Sequence, residues 1–306
     1  MARRIKDDDG FGSSRQIKSP AAKVFNVVNI IFLIILGLIC LYPFWYEVCI
    51  SFSSNEAVNA KAVYFYPVQF SLEAFKYVLE RGPFWKSLGY TIFRVCLTLP
   101  ISMVVMCLAA YPLSKSNLVF RARSFYVWFF FLTMLFNGGM IPTYLLVTGL
   151  GLKNTIWALV LPTCVNVFNM LLLLSFFRNI PDGLEDAARI DGAGHFRILF
   201  QIFVPISKPV LATVALFTLV NNWNAWFDGM IYMQAEKYPL QTYLRTIIFN
   251  FDFQSLTLEE RIRLAQMNQK SLKAAQMVIG AIPILMVYPF LQKYFVSGIT
   301  LGSVKG

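Results

Sequence analysis

Few residues in this sequence have the type and spacing needed for catalysis or metal binding. His195 is the only histidine, so a histidine-based metal cluster is excluded, and we predict that this residue lies on a surface loop. The five cysteines fall in or at the ends of apolar runs, with no C-x-x-C spacing: Cys40, Cys49, Cys96, Cys107 and Cys164. Neither a disulfide framework nor a metal site is predicted.

Motifs for nucleotide binding and hydrolysis are also missing from the sequence. Nothing matches G-x-x-x-x-G-K-[ST], and the segment 149–153 (GLGLK) has neither that spacing nor a following Ser or Thr. We find no G-x-S-x-G, no H-E-x-x-H and no clustered carboxylate pair. We therefore predict a chain that is not an enzyme and has no catalytic residues, driven by another chain or by a gradient.

Composition indicates an integral membrane protein. The 306 residues are 57% hydrophobic and only 14% charged, and the mean hydropathy is +0.59. A soluble domain is less apolar than this. The formal net charge is +11, but no basic and aromatic patch of the kind that binds RNA is present. In a membrane chain the basic residues flank the spans on the cytoplasmic side, so we predict no nucleic-acid partner.

Apolar runs long enough for a bilayer predict an all-α fold with six transmembrane helices. The spans are expected at residues 24–50, 88–113, 124–136, 156–177, 210–233 and 274–291. The third span should run into a Gly-rich turn at 137–144, and Pro283 and Pro289 should break the sixth. The predicted transmembrane domain, 24–291, lies between a disordered cytoplasmic N-tail, 1–23, and a short cytoplasmic C-tail, 292–306.

Lys and Arg are distributed unevenly between the two sides of this arrangement. With both termini inside, 15 of them lie on the inner side and 11 on the outer side, although the outer segments are longer in total. The excess predicts an N-in, C-in topology. The segment 234–273 then becomes a long outer loop, in which Thr257 and Glu260 form a capping box that opens a helix.

The longest polar interruption in the second half of the chain, residues 181–209, is predicted to form a bent helical elbow at the cytoplasmic surface. Asp182 and Glu185 fit a capping box, Glu185 and Arg189 form an i,i+4 pair, and Gly192 should end the first helix. A second helix should place four apolar residues on one face and close at two prolines: Phe196, Leu199, Phe200 and Phe203, then Pro205 and Pro209.

Within the elbow, residues 186–193 (DAARIDGA) and 202–205 (IFVP) resemble the cytoplasmic EAA loop of ABC importer permeases. Asp186 stands where that family usually has Glu, and Val204 where it often has Leu. The resemblance implies a coupling helix docked in a groove of an ATPase subunit. It implies seven coupling residues: Glu185, Asp186, Ala187, Ala188, Arg189, Asp191 and Gly192.

Other segments resemble the carbohydrate branch of the type I importers, and within it the maltose-type second permease of the Gram-positive subset that handles complex, often acidic or plant-derived oligosaccharides. They include 110–115, 138–144, 154–158, 223–228, 288–295 and 302–306.

This resemblance implies a multi-pass subunit of the bacterial cytoplasmic membrane. Its implied partners are a second permease, two ATPase subunits that bind ATP and Mg, an extracellular solute-binding protein that meets the 234–273 loop, and an oligosaccharide. No cofactor is implied for this chain. Lys305 and Gly306 are implied to lie near the ATPase.

Amides and indoles in the fourth and fifth spans are candidates for the substrate path: Asn166, Asn169, Asn224 and Trp226. Sugars present hydroxyls and flat faces to such groups. Two other roles stay open, since Asn joins neighbouring membrane helices and Trp anchors at the interface. The maltose-type resemblance also places sugar contacts mainly in the partner permease.

Two alternatives from other classes remain at this point. A gradient-driven transporter or channel places charges at mid-membrane and often shows inverted repeats. Here Arg94 is the main charge well inside a span, and we find no repeat. A membrane scaffold would not need the elbow.

Overall fold

The computed structural model describes residues 20–80, 82–136, 138–249 and 267–303. Helices, joined by turns and short irregular segments, make up most of these ranges, and the β pairing found within them is a single bridge between Ser53 and Phe70. The helices are α1 Pro20–Ser51, α2 Asn55–Asn59, α3 Glu73–Leu79, α4 Gly82–Ser114, α5 Arg123–Leu135, α6 Met140–Gly149, α7 Trp157–Val160, α8 Val167–Phe177, α9 Asp182–Ile190, α10 His195–Ile198, α11 Val204–Ile206, α12 Lys208–Asn224, α13 Phe227–Tyr232, α14 Leu240–Phe249 and α15 Gln269–Ser303.

Length and composition single out the helices that could cross a membrane. In the described ranges α1 and α4 satisfy both criteria alone, with mean hydropathies of 2.8 and 2.2. Three bent pairs satisfy them together, namely α5 with α6 at 112°, α7 with α8 at 45°, and the 195–206 segment with α12 at 85°. The protein thus has up to five candidate spans by these criteria. The predicted sixth span falls within α15.

Two of these bends have local causes. Between α7 and α8 the chain forms a 3-10 turn, Leu161–Thr163, that contains Pro162, and Asn166 then caps α8 by accepting the Asn169 N–H at 3.0 Å. Between α5 and α6, Gly139 takes φ +91°, which only glycine adopts readily.

The structure corrects three predicted boundaries. Met140 begins α6, so the predicted turn at 137–144 is much shorter. Neither Pro283 nor Pro289 breaks α15, and this helix reaches Ser303, so most of the predicted C-tail 292–306 is helical. Neighbouring helices and side chains compensate for a proline in a membrane helix, and α15 packs against α1 and α12. Finally, α1 begins at Pro20, where proline fits a first helical turn, and not at residue 24.

Other predictions lie outside the described residues. These are the disorder of residues 1–19, the Thr257–Glu260 capping box, and the positions of Lys305 and Gly306.

Two large apolar clusters hold the helices together. One joins α4, α8 and α12 to the elbow, through Met106, Leu173, Phe203 and Val214 among others. The other joins α3, α14 and α15 to the far end of α12, through Val78, Trp223 and Leu240 among others. We call these two regions the elbow end and the far end of the molecule.

Arg94 forms a buried polar network between the helices. Its side chain is fully buried, and it donates to both carboxylate oxygens of Asp228, Oδ1 at 3.2 Å and Oδ2 at 2.5 Å. Its Nε donates to Asn222 Oδ1 at 3.1 Å, and Nη2 donates to the Leu159 carbonyl at 3.5 Å. This one guanidinium therefore joins α4, α7, α12 and α13. A charge in hydrocarbon needs such pairing, since its desolvation is otherwise uncompensated.

We expect Asp228→Asn to destabilise the protein strongly, because it leaves Arg94 buried without a counter-charge. Breaking a buried pair from one side costs about 3–5 kcal/mol. Adding Arg94→Met to the same chain removes the orphaned charge and should recover much of the loss. Thermal unfolding of the detergent-purified protein measures both effects. Arg94→Met alone completes the comparison. If the double variant loses as much stability as the two single variants lose together, the pairing is contradicted.

Candidate functional site

The first half of the elbow is the helix α9, which begins differently from the prediction. Pro181 is its N-cap and makes no side-chain cap hydrogen bond, so the capping box of Asp182 and Glu185 is wrong. Glu185 turns away from the helix N-terminus because two cations offer stronger partners. These are Arg189 on the next turn and Lys115, which follows the end of α4.

Glu185, Lys115 and Arg189 form an ion triad that fixes the elbow to α4. Glu185 Oε1 accepts from Arg189 Nη2 at 2.8 Å and from Nε at 3.2 Å, which confirms the i,i+4 pair. Glu185 Oε2 accepts from Lys115 Nζ. The same ammonium lies 3.9 Å from the ring centroid of Tyr111 and 4.3 Å from that of Phe203. Cation–π contacts of this kind strengthen as they are desolvated.

The triad shifts the pKa values of its members. Burial by itself raises the pKa of the Glu185 carboxyl, but hydrogen bonds from Lys115 and Arg189 outweigh burial, and the net pKa is lowered. The hydrogen bond from Arg189 to Glu185 raises the pKa of that guanidinium. Burial lowers the pKa of Lys115, although Glu185 opposes the change. Glu185 therefore stays ionised and holds both cations at neutral pH.

Gly192 ends the helix, as predicted. Its φ is +77°, and its N–H donates to the Arg189 carbonyl at 3.0 Å while the Ala193 N–H donates to the Ala188 carbonyl at 2.9 Å. The predicted coupling residues divide into two faces. Glu185 and Ala188 turn toward the protein, whereas the other five are exposed: Asp186, Ala187, Arg189, Asp191 and Gly192. Ile190, 86% exposed, adds an apolar side chain to that outer face.

The second half of the elbow is helical but does not present the predicted face. Leu199 and Phe203 are buried, whereas Phe196 and Phe200 are exposed. For Phe200 the cause is a turn of π-helix, Leu199–Phe203, whose wider winding shifts the side chains that follow α10. Pro205 does not end this segment, which continues to Ile206 before the 85° bend.

His195 was predicted to lie on a surface loop, but it is the first residue of α10. The Tyr111 hydroxyl lies 3.3 Å from its Nδ1, so this residue ties the second half of the elbow to the same end of α4.

Asn166 and Asn169 meet in a cavity between α8 and α12, which we call the amide cavity. Its volume is about 270 Å³, and it is lined by Arg94, Pro162, Thr163, Asn166, Asn169, Asn221 and Asn222, among others. Asn169 is only 2% exposed, and its Nδ2 has no hydrogen-bond partner among the described residues. A buried donor in this state costs about 1–3 kcal/mol unless water or a ligand accepts from it.

Asn224 and Trp226 lie apart from this cavity. Asn224 is exposed at the last residue of α12, and Trp226 occupies the break between α12 and α13. Trp226 lines a different cavity of about 310 Å³, which we call the Trp226 groove, with Gln241, Arg245, Lys273, Gln276 and Met277. The structure thus brings together two of the four predicted path residues.

Two features of these sites were missed in the sequence. Lys115 stands at the basic position of the 110–115 segment, which was the available signal for its role. Gln276 gave no local signal, because its surroundings are built by distant parts of the chain. Within the described residues, no group of three or more His, Cys, Asp or Glu side chains is placed to hold a metal ion.

Comparison with known proteins bears directly on the function. Residues 71–301 match the family described as "Binding-protein-dependent transport system inner membrane component". The polygalacturonan/rhamnogalacturonan transport system permease protein YtcP of Bacillus subtilis (strain 168) is 39% identical, over 93% of this chain and 99% of that protein. Protein LplC of the same strain is 39% identical, over 94% of this chain and 96% of that protein.

Solved structures give the same result for the fold. A chain of a bacterial ABC transporter involved in the import of the acidic polysaccharide alginate superposes with a TM-score of 0.82 at 34% identity. The match covers 90% of this chain and 98% of that one. A second alginate transporter chain, in complex with an alginate pentasaccharide-bound periplasmic protein, gives a TM-score of 0.53 at 14% identity. This more distant match supports the fold alone.

We expect the elbow to loosen in acid. Because the folded-state pKa of Glu185 is lowered, the triad stabilises the elbow above the ordinary pKa of 4.5, and this stability is lost as the pH falls through the folded-state value. Hydrogen exchange of the α9 amides, compared with Glu185→Gln at each pH, isolates the effect. Protection in the wild type should exceed that of the variant at neutral pH and converge with it in acid. A constant difference would contradict the assignment.

Proposed function

Because the chain belongs to the family of binding-protein-dependent transport system inner membrane components, we propose that it forms one half of the translocation path of an ATP-driven oligosaccharide importer. The chain is a multi-pass protein of the bacterial cytoplasmic membrane and a non-catalytic subunit. Family membership decides against the gradient-driven transporter and the scaffold. The family lacks cofactors, and ATP binds to partner subunits.

The substrate that we propose is an oligosaccharide with acidic sugar units. Support comes from two similar proteins, one named for polygalacturonan/rhamnogalacturonan transport and one from a transporter that imports the acidic polysaccharide alginate. The partners proposed with it are a second permease, two ATPase subunits and an external binding protein.

The proposed topology has six spans, with both termini and the elbow in the cytoplasm. The distribution of Lys and Arg supports it, and so does the position of the elbow at one end of α4 with the Trp226 groove near the other. In this arrangement the far end of the molecule faces the outside. The segment 234–273 then meets the binding protein, and Lys305 and Gly306 meet the ATPase.

Coupling through the elbow is the part of this proposal that the geometry supports best. The ion triad is the observation that carries it, because it holds α9 against α4 from behind while Asp186, Ala187, Ile190 and Asp191 remain exposed in front. Ala187 permits close approach of a partner backbone, and Ile190 offers apolar area to bury. A push on this face is transmitted to α4 through Lys115.

We expect Gly192→Val to reduce uptake and substrate-stimulated ATP hydrolysis by the assembled transporter. An added Cβ meets no atom within 4 Å, so the cost arises from the left-handed backbone and amounts to about 1–2 kcal/mol or more for a β-branched residue. Gly194→Val is the matched control, since Gly194 has φ −76° and equally open space. Equal activity of the two variants would show that the bend at Gly192 is not needed.

We expect Asn169→Ala to lower substrate uptake while basal ATP hydrolysis and assembly persist, because the unpartnered amide of Asn169 is available to a passing hydroxyl. Asn222→Ala is the matched comparison. Its amide is committed to Arg94 and to the Thr218 carbonyl at 2.9 Å, so its loss should lower assembly and stability. Uptake and hydrolysis in proteoliposomes, with gel filtration of the complex, separate the two roles. Wild-type uptake by Asn169→Ala would exclude Asn169 from the path.

A further inference from the structure

The Trp226 groove combines three kinds of group that together recognise a charged sugar. Trp226 offers an aromatic face, Gln241 and Gln276 offer amides, and Arg245 and Lys273 offer positive charge. Aromatic rings stack on sugar faces, amides bond hydroxyls, and cations bind carboxylates.

Gln276 is the strongest indication that the groove has a ligand. The residue is only 3% exposed, yet neither Oε1 nor Nε2 of its side chain has a hydrogen-bond partner among the described residues. An amide has two donor hydrogens and an acceptor oxygen, so a buried one without partners is costly. A sugar hydroxyl, which both donates and accepts, would satisfy both atoms.

The aromatic and cationic walls are held in fixed positions. The guanidinium carbon of Arg245 lies 3.7 Å from the ring centroid of Trp226, and the Trp226 carbonyl accepts from the Thr242 hydroxyl at 2.7 Å. Stacking orients the planar guanidinium, whose N–H fork matches a carboxylate in two-point geometry. One wall is braced in turn by Trp223, whose Nε1 donates to the Gly280 carbonyl at 2.9 Å.

We propose that the Trp226 groove binds a uronate unit of the oligosaccharide, with Arg245 on the carboxylate and Gln276 on ring hydroxyls. This inference rests on the proposed oligosaccharide function and adds a site within this chain. The groove, of about 310 Å³, is a concave site at the lower end of the size range for small ligands, which favours one sugar unit over a protein surface.

The groove also lies next to the amide cavity. Ala225 lines that cavity, and the following residue, Trp226, lines the groove. A sugar chain held at Trp226 would therefore have its next unit near the break between α12 and α13. The groove selects by charge, and the amide cavity beyond it, where Arg94 is already paired with Asp228, accepts hydroxyls.

Direct binding to the purified permease–ATPase complex, without the binding protein, tests the site. The probes are trigalacturonate and its methyl ester, which keeps the rings and removes the charge, and saturation-transfer NMR measures their affinities. We expect tighter binding of the acid in the wild type. Arg245→Gln should weaken binding of the acid about tenfold and leave the affinity for the ester unchanged, since a charge-assisted hydrogen bond is lost. Gln276→Leu should weaken both probes.

Lys76→Gln is the matched control, because Lys76 is exposed on α3 and does not line the groove. Arg245→Lys keeps the charge but loses the planar N–H fork of the guanidinium. Its affinity for the acid should therefore lie between those of the wild type and Arg245→Gln. Unchanged affinity in Arg245→Gln and Gln276→Leu complexes that assemble normally would overturn the site.

Uptake in proteoliposomes separates this failure from failure of the proposed function. If the wild-type complex and the groove variants take up trigalacturonate with the same KM, the proposed function is retained and the groove is not the sugar site. A wild-type complex that takes up no oligosaccharide overturns the function itself. The binding protein could also attach more weakly to the Arg245→Gln complex than to the wild type, by the same factor with either probe. That result would make the groove a protein-docking surface and overturn the sugar assignment.

Discussion

A buried guanidinium needs a counter-charge, and much of the arrangement of this protein follows from how Arg94 obtains one. Asp228 lies 134 residues away along the chain, so the pair forms only when α4, α12 and α13 meet. Asn222 and the Leu159 carbonyl complete the coordination of the guanidinium. An apolar residue at position 94 would pack with less desolvation cost. The charge specifies instead which helices are neighbours, because in lipid an apolar surface does not distinguish one helix from another.

A second ionic contact lies just past the C-terminal end of the same helix. Lys115 is 21 residues after Arg94, which is about 32 Å at the rise of an α-helix. Lys115 holds the elbow through Glu185, and Arg94 holds the broken end of the fifth predicted span through Asp228. A single helix thus connects the surface proposed to meet the ATPase with the region around the amide cavity and the Trp226 groove. Displacement of the elbow must move α4 or break the triad.

Local spacing allowed part of this structure to be predicted. The Glu185–Arg189 pair and the helix end at Gly192 depend on neighbours within one or two turns, and both predictions are confirmed. The capping box failed because Lys115, 70 residues earlier in the chain, competes for Glu185. The predicted apolar face of the second elbow helix failed because a regular period of 3.6 residues was assumed, whereas the π turn shifts Phe200 outward. Gln276 could not be identified, because its site exists only after three distant segments pack.

The two polar sites lie where the helices are irregular, and there is a physical reason for this. An unbroken helix satisfies its own backbone and presents only side chains, whereas a break leaves backbone groups that hydrocarbon cannot satisfy. Such breaks persist where they line a polar cavity. The chain breaks at Pro162–Asn166, which borders the amide cavity, and at Ala225–Trp226, which borders both the cavity and the groove. The prolines and amides that interrupt these apolar runs are therefore where this permease has room for a hydrophilic substrate.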